Sequence, residues 1–295
     1  MKSKFGRVIT AMITPFAADG SLDVEGARSL AKWLVEQGNE ALVLAGTTGE
    51  SPTITQDEQI ELVEAVVDAV DVPIIAGAGS NDTRSAIANT QRCVDAGAQA
   101  ILSVTPYYNR PSQAGLMAHF AEVAASTELP IMLYDIPART GRALDADTIL
   151  QLADEVENIV AVKDAAGDVA STARLIAAAP EGFEVYSGED CLTLSLLAVG
   201  AVGTVSVASH WATPEMVVMM DAFFSGDMAT ARATNQRMIP SYDFESGDLT
   251  PNPIPSKAML KVLGLPGGDC RLPMGPEPDW LADKARAILA GLGRP

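Results

Sequence analysis

At 295 residues the chain exceeds the usual single-domain length, yet α/β barrels reach this size as one unit, so one large domain is permitted. Apolar residues make up 48% and charged residues 20%, which supplies a sizeable core and excludes a disordered chain. Against 20 Lys and Arg stand 38 Asp and Glu, and the formal net charge of −18 repels phosphate backbones and anionic headgroups, so neither nucleic acid nor a membrane surface is expected as a partner.

The first residues, MKSKFGRVITAMITPF, are basic, but Thr10, Thr14 and Pro15 break their apolar run, which makes a poor leader peptide. Nowhere does the sequence approach the roughly 18 apolar residues of a membrane helix. Short apolar or β-branched runs then recur in order: RVITAMIT (7–14), ALVLA (41–45), VPIIAG (72–77), AILSVT (100–105), PIMLYD (130–135), IVAVK (159–163), FEVYS (183–187) and AVGTVSV (201–207). Between them lie segments with helical apolar spacing, such as DEQIELVEAVVDAV (57–70) and GLMAHFAEVAAST (115–127). From the second run to the sixth, starts fall about 30 residues apart, the length of a βα unit, and eight such units close a (β/α)8 TIM barrel. Continuously apolar strands fit a parallel sheet buried on both faces. A dinucleotide fold is disfavoured, because its nearest fingerprint, AGAGSND (76–82), lacks the third glycine.

Past the eighth strand the segments 211–224, 226–240, 253–264 and 277–292 read as helices, more than one closing unit needs. The expected organisation is therefore a barrel over 1–225 and a C-terminal helical region over 226–295, with TPNPIPSK (250–257) as a proline-rich hinge. Three widely spaced cysteines, Cys93, Cys191 and Cys270, form no CxxC pair and suit reduced thiols in the cytoplasm. His119 and His210 stand far apart with no ligating neighbours, so both are read as structural and no metal is expected.

In such barrels chemistry sits at the C-terminal ends of strands, and here those ends are polar: GTTGES (46–51), TPYYN (105–109), YDIPARTG (134–141), Lys163-Asp164 and SGED (187–190). Of seven lysines only Lys163 closes a buried strand. Period-two alternation puts Ile159, Ala161 and Lys163 on one face, pointing the amine into the barrel mouth or into the helix layer. One reading is a structural ion pair with Asp135 or Asp164; the other is a Schiff-base lysine attacking a ketone, with Asp164 supporting it from behind. Thr47 and Thr48 with glycine-freed amides at a helix entrance offer a cradle the size of a carboxylate. Tyr134 ends the neighbouring strand and suits proton transfer, while Arg139, or Arg142 close by, suits two-point binding of a second carboxylate. Glu189 and Asp190 would repel a phosphate, which argues against pyridoxal phosphate, and no cofactor is expected.

Together GTTGESPT, VTPYYNRPSQ, YDIPARTG, VKDAAGD, SGED and PNPIPSKAML resemble the dihydrodipicolinate synthase branch of the pyruvate-dependent class I aldolases over nearly the whole chain. The resemblance implies a barrel with a helical C-terminal region, a homotetramer built from tight dimers, and condensation of pyruvate with L-aspartate 4-semialdehyde in the diaminopimelate route to lysine. It implies Lys163 as the imine-forming amine, with Thr47 and Thr48 on the pyruvate carboxylate. Thr48 would also link Tyr134 to Tyr108 of the partner subunit in a proton relay. Arg139 would hold the semialdehyde carboxylate, and Gly188 and Val205 would line the pocket through their backbones. At the positions that bind lysine in feedback-inhibited members stand Gln56, Gln59, Asn81 and Ser85, with Ser85 in place of a glutamate, so weak or absent inhibition is expected. N-acetylneuraminate lyase and keto-deoxy-sugar aldolases share the lysine and tyrosine; Thr47 and Arg139 speak against them. A non-catalytic ligand-binding barrel is the reading from a different class.

Overall fold

The computed structural model describes residues 3–294. Eight parallel strands, β1 (Val8–Ala11), β2 (Ala41–Leu44), β3 (Ile74–Gly77), β4 (Ala100–Val104), β5 (Ile131–Asp135), β6 (Ile159–Asp164), β7 (Glu184–Ser187) and β8 (Gly203–Ser206), pair in chain order. The barrel closes where β1 meets β8 in the register Val8↔Thr204, Ile9↔Val205 and Thr10↔Ser206. Helices α1 (Val24–Glu36), α2 (Gln56–Val67), α3 (Thr83–Asp95) and α4 (Gln113–Ala124) follow the first four strands. After β5 come the short α5 (Pro137–Thr140) and then α6 (Ala146–Glu155); α7 (Val169–Ala178), α8 (Thr193–Val199) and α9 (Ser209–Ser225) complete the ring. The remaining helices are α10 (Met228–Glu245), α11 (Ile254–Val262) and α12 (Leu281–Gly291).

Local chemistry fixes where helices start. Asp23, Asp82, Ser112, Asp168 and Asp227 each accept a backbone N–H at a helix N-terminus, and Thr55 with Glu58 forms a reciprocal capping box on α2. Strand alternation divides the apolar side chains into two layers. Ile9, Val43, Ile75, Leu102, Met132 and Ala161 fill the barrel, whereas Leu42, Leu44, Ile74, Ile101, Leu133 and Val162 face the helices. One expectation fails at the start of β6. The register between β5 and β6 shifts at Ile131/Met132, so Ile159 joins the helix layer instead of sharing a face with Ala161.

A second core lies beside the barrel. Trp211, Met216, Met219 and Met220 of α9 pack with Met238 and Phe244 of α10, Met259 of α11 and Leu281 of α12. Trp211 donates its Nε1–H to Ser241 Oγ at 3.0 Å and meets the Phe244 ring edge-on at 5.9 Å between centroids. The run 250–257 is not the loose hinge that its prolines imply: Asn252 is 6% exposed, and residues Ile254 to Leu260 are all buried. Pro255 sits in the first turn of α11, where the missing N–H costs nothing.

His210 is structural, as the sequence reading has it. Ile13 N–H donates to Nε2 at 3.0 Å, so the Nδ1 proton points to Val207 O at 2.8 Å and the ring is neutral. Burial pushes its pKa down to about 4. The unfolded ring takes up its proton near 6.5, so stability tied to the neutral ring is complete above that pH and is lost as pH falls toward the folded value. Between about pH 7 and about pH 4, wild-type unfolding free energy should fall about 3 kcal/mol further than that of His210→Asn, measured by denaturant titration. Parallel pH profiles for the two proteins would contradict this.

Candidate active site

Strand β6 carries Lys163 two residues beyond Ala161, so its side chain enters the barrel mouth and is 4% exposed. Tyr134 is its register partner on β5, and Lys163 Nζ lies 4.4 Å from the centre of that ring. The next register pair, Asp135 and Asp164, points the other way, under α6 and α7. Asp135 accepts from Leu144 N at 3.0 Å, and Asp164 from Ala166 N at 2.9 Å and Thr172 Oγ1 at 2.5 Å. The structural ion pair with either aspartate is therefore not formed, and Asp164 backs the helix layer rather than the amine. Burial, reinforced by Asp164, pushes the Asp135 carboxyl up to about 7. Among the described residues no carboxylate lies within ion-pair distance of Lys163 Nζ.

Above the amine opens a cavity of about 570 Å³ whose lining includes Lys163, Tyr134, Thr47, Thr48, Arg139 and Gly188. Thr47 and Thr48 belong to a run of turns over residues 45–54, and α2 starts only at Gln56, so the expected helix entrance stands farther along the chain. Thr48 is 2% exposed and accepts from Asn252 Nδ2 at 2.9 Å. No hydrogen bond joins Thr48 to Tyr134 among the described residues, but a hydroxyl that accepts from Asn252 keeps its own proton to donate. Arg139 is presented by α5, a single turn that opens with Pro137 and stops at Gly141, whose φ of 71° suits glycine. Its neighbour Arg142 donates instead to Arg110 O at 3.1 Å and is absent from the cavity lining. Gly188 leaves the space the lysine occupies: a Cβ there would stand 2.9 Å from Lys163 Cγ and 3.0 Å from Cε.

Two expected site residues lie elsewhere. Val205 is 1% exposed in the barrel interior, and Val207, two residues on, lines the cavity in its place. Tyr108 is 90% exposed, with a left-handed φ of 72°, and does not reach this chain's own cavity. Glu189 of the SGED stretch joins the lining, and the structure adds what the sequence reading missed: Asn252, Glu245 and Asp248. Burial and then Asp190 push both Glu189 and, much further, Glu245 above the ordinary carboxylate range. Asp190 itself turns away, accepting from Val207 N at 2.9 Å, Ala208 N at 2.7 Å and Ser206 Oγ at 2.9 Å. Among the described residues no three His, Cys, Asp or Glu side chains converge as metal ligands would, and no helix is long and apolar enough to cross a membrane.

A buried lysine over a tyrosine ring, beside two threonines and below an arginine, matches what the sequence motifs imply, and comparison with known proteins decides the family. The model of the Dihydrodipicolinate synthetase family matches residues 4–291. The chain belongs to this family. Its relatives include the 4-hydroxy-tetrahydrodipicolinate synthase of Moorella thermoacetica, 49% identical over 273 residues, with 92% of each chain covered. The Bacillus subtilis protein of the same name is 45% identical, with 92% of this chain and 94% of that one covered. Among solved structures, the Cyanidioschyzon merolae dihydrodipicolinate synthase with lysine bound superposes with a TM-score of 0.96 at 43% identity, covering 99% of both chains. That of Bacillus anthracis gives 0.94 at 42% identity, covering 98% of both. These likenesses carry the family's barrel and its helical C-terminal part across essentially the whole chain.

Within the cavity, Gly188→Ala tests how tightly Lys163 is placed. Trapping of the Lys163 amine by a carbonyl compound under borohydride should fall about a hundredfold, with the fold retained by circular dichroism. Undiminished trapping in that variant would mean that the lysine has room to shift.

Proposed function

We propose that the chain condenses pyruvate with L-aspartate 4-semialdehyde, forming 4-hydroxy-tetrahydrodipicolinate for the diaminopimelate route to lysine. The observation that carries this reading is the Lys163 amine, buried at the floor of an open cavity and held against Tyr134 with no carboxylate paired to it. Nζ attacks the C2 ketone of pyruvate, and the resulting carbinolamine loses water to give an imine. Tyr134 passes protons to and from the oxygen that leaves, and Thr48 links it to Tyr108 of the partner subunit in the relay. Loss of a proton from the pyruvate methyl makes an enamine, whose carbon attacks the aldehyde of the second substrate. The substrate's own amine then adds to C2 and displaces Lys163, closing the ring and freeing the enzyme.

Thr47 and Thr48 hold the pyruvate carboxylate, and Arg139 holds that of the semialdehyde in a two-point grip. Gly188 contributes its backbone at the floor, with Val207 standing where Val205 was expected. Tyr108, exposed on its own protomer, completes the relay in the partner's site of a tight dimer, and two such dimers make up the homotetramer; its exposure supports this reading. The thiol pattern supports a cytoplasmic setting. A lyase acting on sialic or keto-deoxy sugars would want hydroxyl-binding groups where Arg139 stands, and a non-catalytic barrel would have no use for the whole set.

Incubation with pyruvate followed by borohydride should leave a stable adduct on Lys163, located by peptide mass analysis; an adduct on any other lysine, or none, overturns the mechanism. Arg139→Gln should raise KM for the semialdehyde about thirtyfold, the roughly 2 kcal/mol of a charge-assisted hydrogen bond, with KM for pyruvate little changed. Lysine should inhibit weakly or not at all. Ser85 Oγ donates to Asp82 Oδ2 at 2.6 Å and Gln56 is engaged with Asn89 and Arg92, so no carboxylate among Gln56, Gln59, Asn81 and Ser85 awaits the effector's amine. Half-maximal inhibition by sub-millimolar lysine would contradict that expectation.

A further inference from the structure

The threonines of the cavity stand in a stretch without helix or strand between Leu44 and Gln56, so its position depends on side-chain fastenings. Those fastenings come from the C-terminal region. Asn252 Nδ2 donates to Thr48 Oγ1 at 2.9 Å. Two residues beyond Thr48, Glu50 adopts a left-handed φ of 55°, a conformation that residues with side chains avoid, and its carboxylate is buried. One oxygen, Oε1, lies 2.6 Å from Nζ of Lys257 on α11, with both side chains at most 2% exposed. The contact is a buried ion pair. The other oxygen accepts from Arg271 N at 2.9 Å.

The same C-terminal stretch grips further along the loop. Arg271 Nη1 donates to Thr53 O at 2.7 Å, and its guanidinium takes Glu58 in a fork at 2.9 and 2.5 Å. Lys257 Nζ and Arg271 Cζ each lie 4.1 Å from the centre of the Phe16 ring. Burial works against the Lys257 charge, and Glu50 sustains it.

We propose that Glu50 and Lys257 form a positioning pair that sets the place of Thr47 and Thr48, so that the C-terminal region, and not the barrel alone, completes the pyruvate-binding loop. This rests on the reading of those threonines as ligands of the pyruvate carboxylate. Neither Glu50 nor Lys257 lines the cavity that holds Lys163, so each acts only through the loop.

Three variants of the full-length protein test it: Glu50→Gln, Lys257→Met, and the two combined. The double variant matters most, because removing both charges leaves no buried ion unpaired and the protein should stay folded. Two readouts are taken: the pyruvate concentration giving half-maximal borohydride trapping at Lys163, and hydrogen exchange of the amides of residues 46–51 without substrate. In the double variant, half-maximal trapping should require about tenfold more pyruvate, equal to about 1.4 kcal/mol of binding, with kcat at saturation within about threefold of wild type. Exchange over 46–51 should quicken while that of the barrel strands does not. A folded double variant with wild-type trapping and wild-type exchange overturns the proposal, since a pair that only stabilises the fold would alter the melting temperature alone. Should wild type itself form no adduct at Lys163, the pyruvate reading fails, and the exchange comparison still decides whether the pair holds the loop.

Discussion

An amine buried at the floor of a cavity with no carboxylate within ion-pair distance is the constraint to which the rest of the site answers. Lys163 keeps that state because Asp135 and Asp164, each adjacent to a cavity residue in sequence, face the opposite side of the sheet. Strand alternation thus separates the acids from the amine by geometry alone. The Tyr134 ring presents its electron-rich face to Nζ, and Gly188 withholds a side chain where the lysine's methylenes run. A carboxylate in any of these places would convert a reactive amine into an ion pair.

How much of this the sequence disclosed follows from the range of each interaction. Whereas alternation alone left Lys163 facing either the barrel mouth or the helix layer, strands and their number depend on neighbours one or two residues away, and the apolar runs and their spacing revealed them. Arg139 was legible for the same reason, since Pro137 and Gly141 define its single turn locally. Ile159 was misplaced because a register shift between β5 and β6 is decided by how two strands pair, not by either one. Lys257 looked like an ordinary helix lysine, and the prolines around Asn252 looked like a hinge. Their partners, Glu50 and Thr48, lie about two hundred residues earlier, beyond any window of periodicity. Glu245, at the end of α10, belongs to none of the sequence motifs and joins the cavity lining only through tertiary packing. The family resemblance supplied Tyr108, whose proposed place in a partner's site no spacing within one chain could disclose.

The second core explains how the C-terminal helices reach the mouth of the barrel. α9 belongs to both bodies: it follows β8 in the ring, and its methionines and Trp211 form the apolar face that α10, α11 and α12 cover. With α11 anchored there, the segments before and after it are brought over the loop that follows β2. Burial of apolar surface far from the cavity is therefore what carries Asn252, Lys257 and Arg271 to their partners.

The contact between Asn252 and Thr48 spans 204 positions, and this has a meaning for how the molecule comes into being. Ribosomal synthesis proceeds from the N-terminus, so β8 can close the cylinder before Asn252, Lys257 and Arg271 have been joined to the chain. A nascent polypeptide at that point owns the lysine, the tyrosine and both threonines, yet lacks the groups that fasten the threonine loop. Fastening of the threonine loop thus waits on residues made after the last barrel strand and does not follow from barrel closure alone.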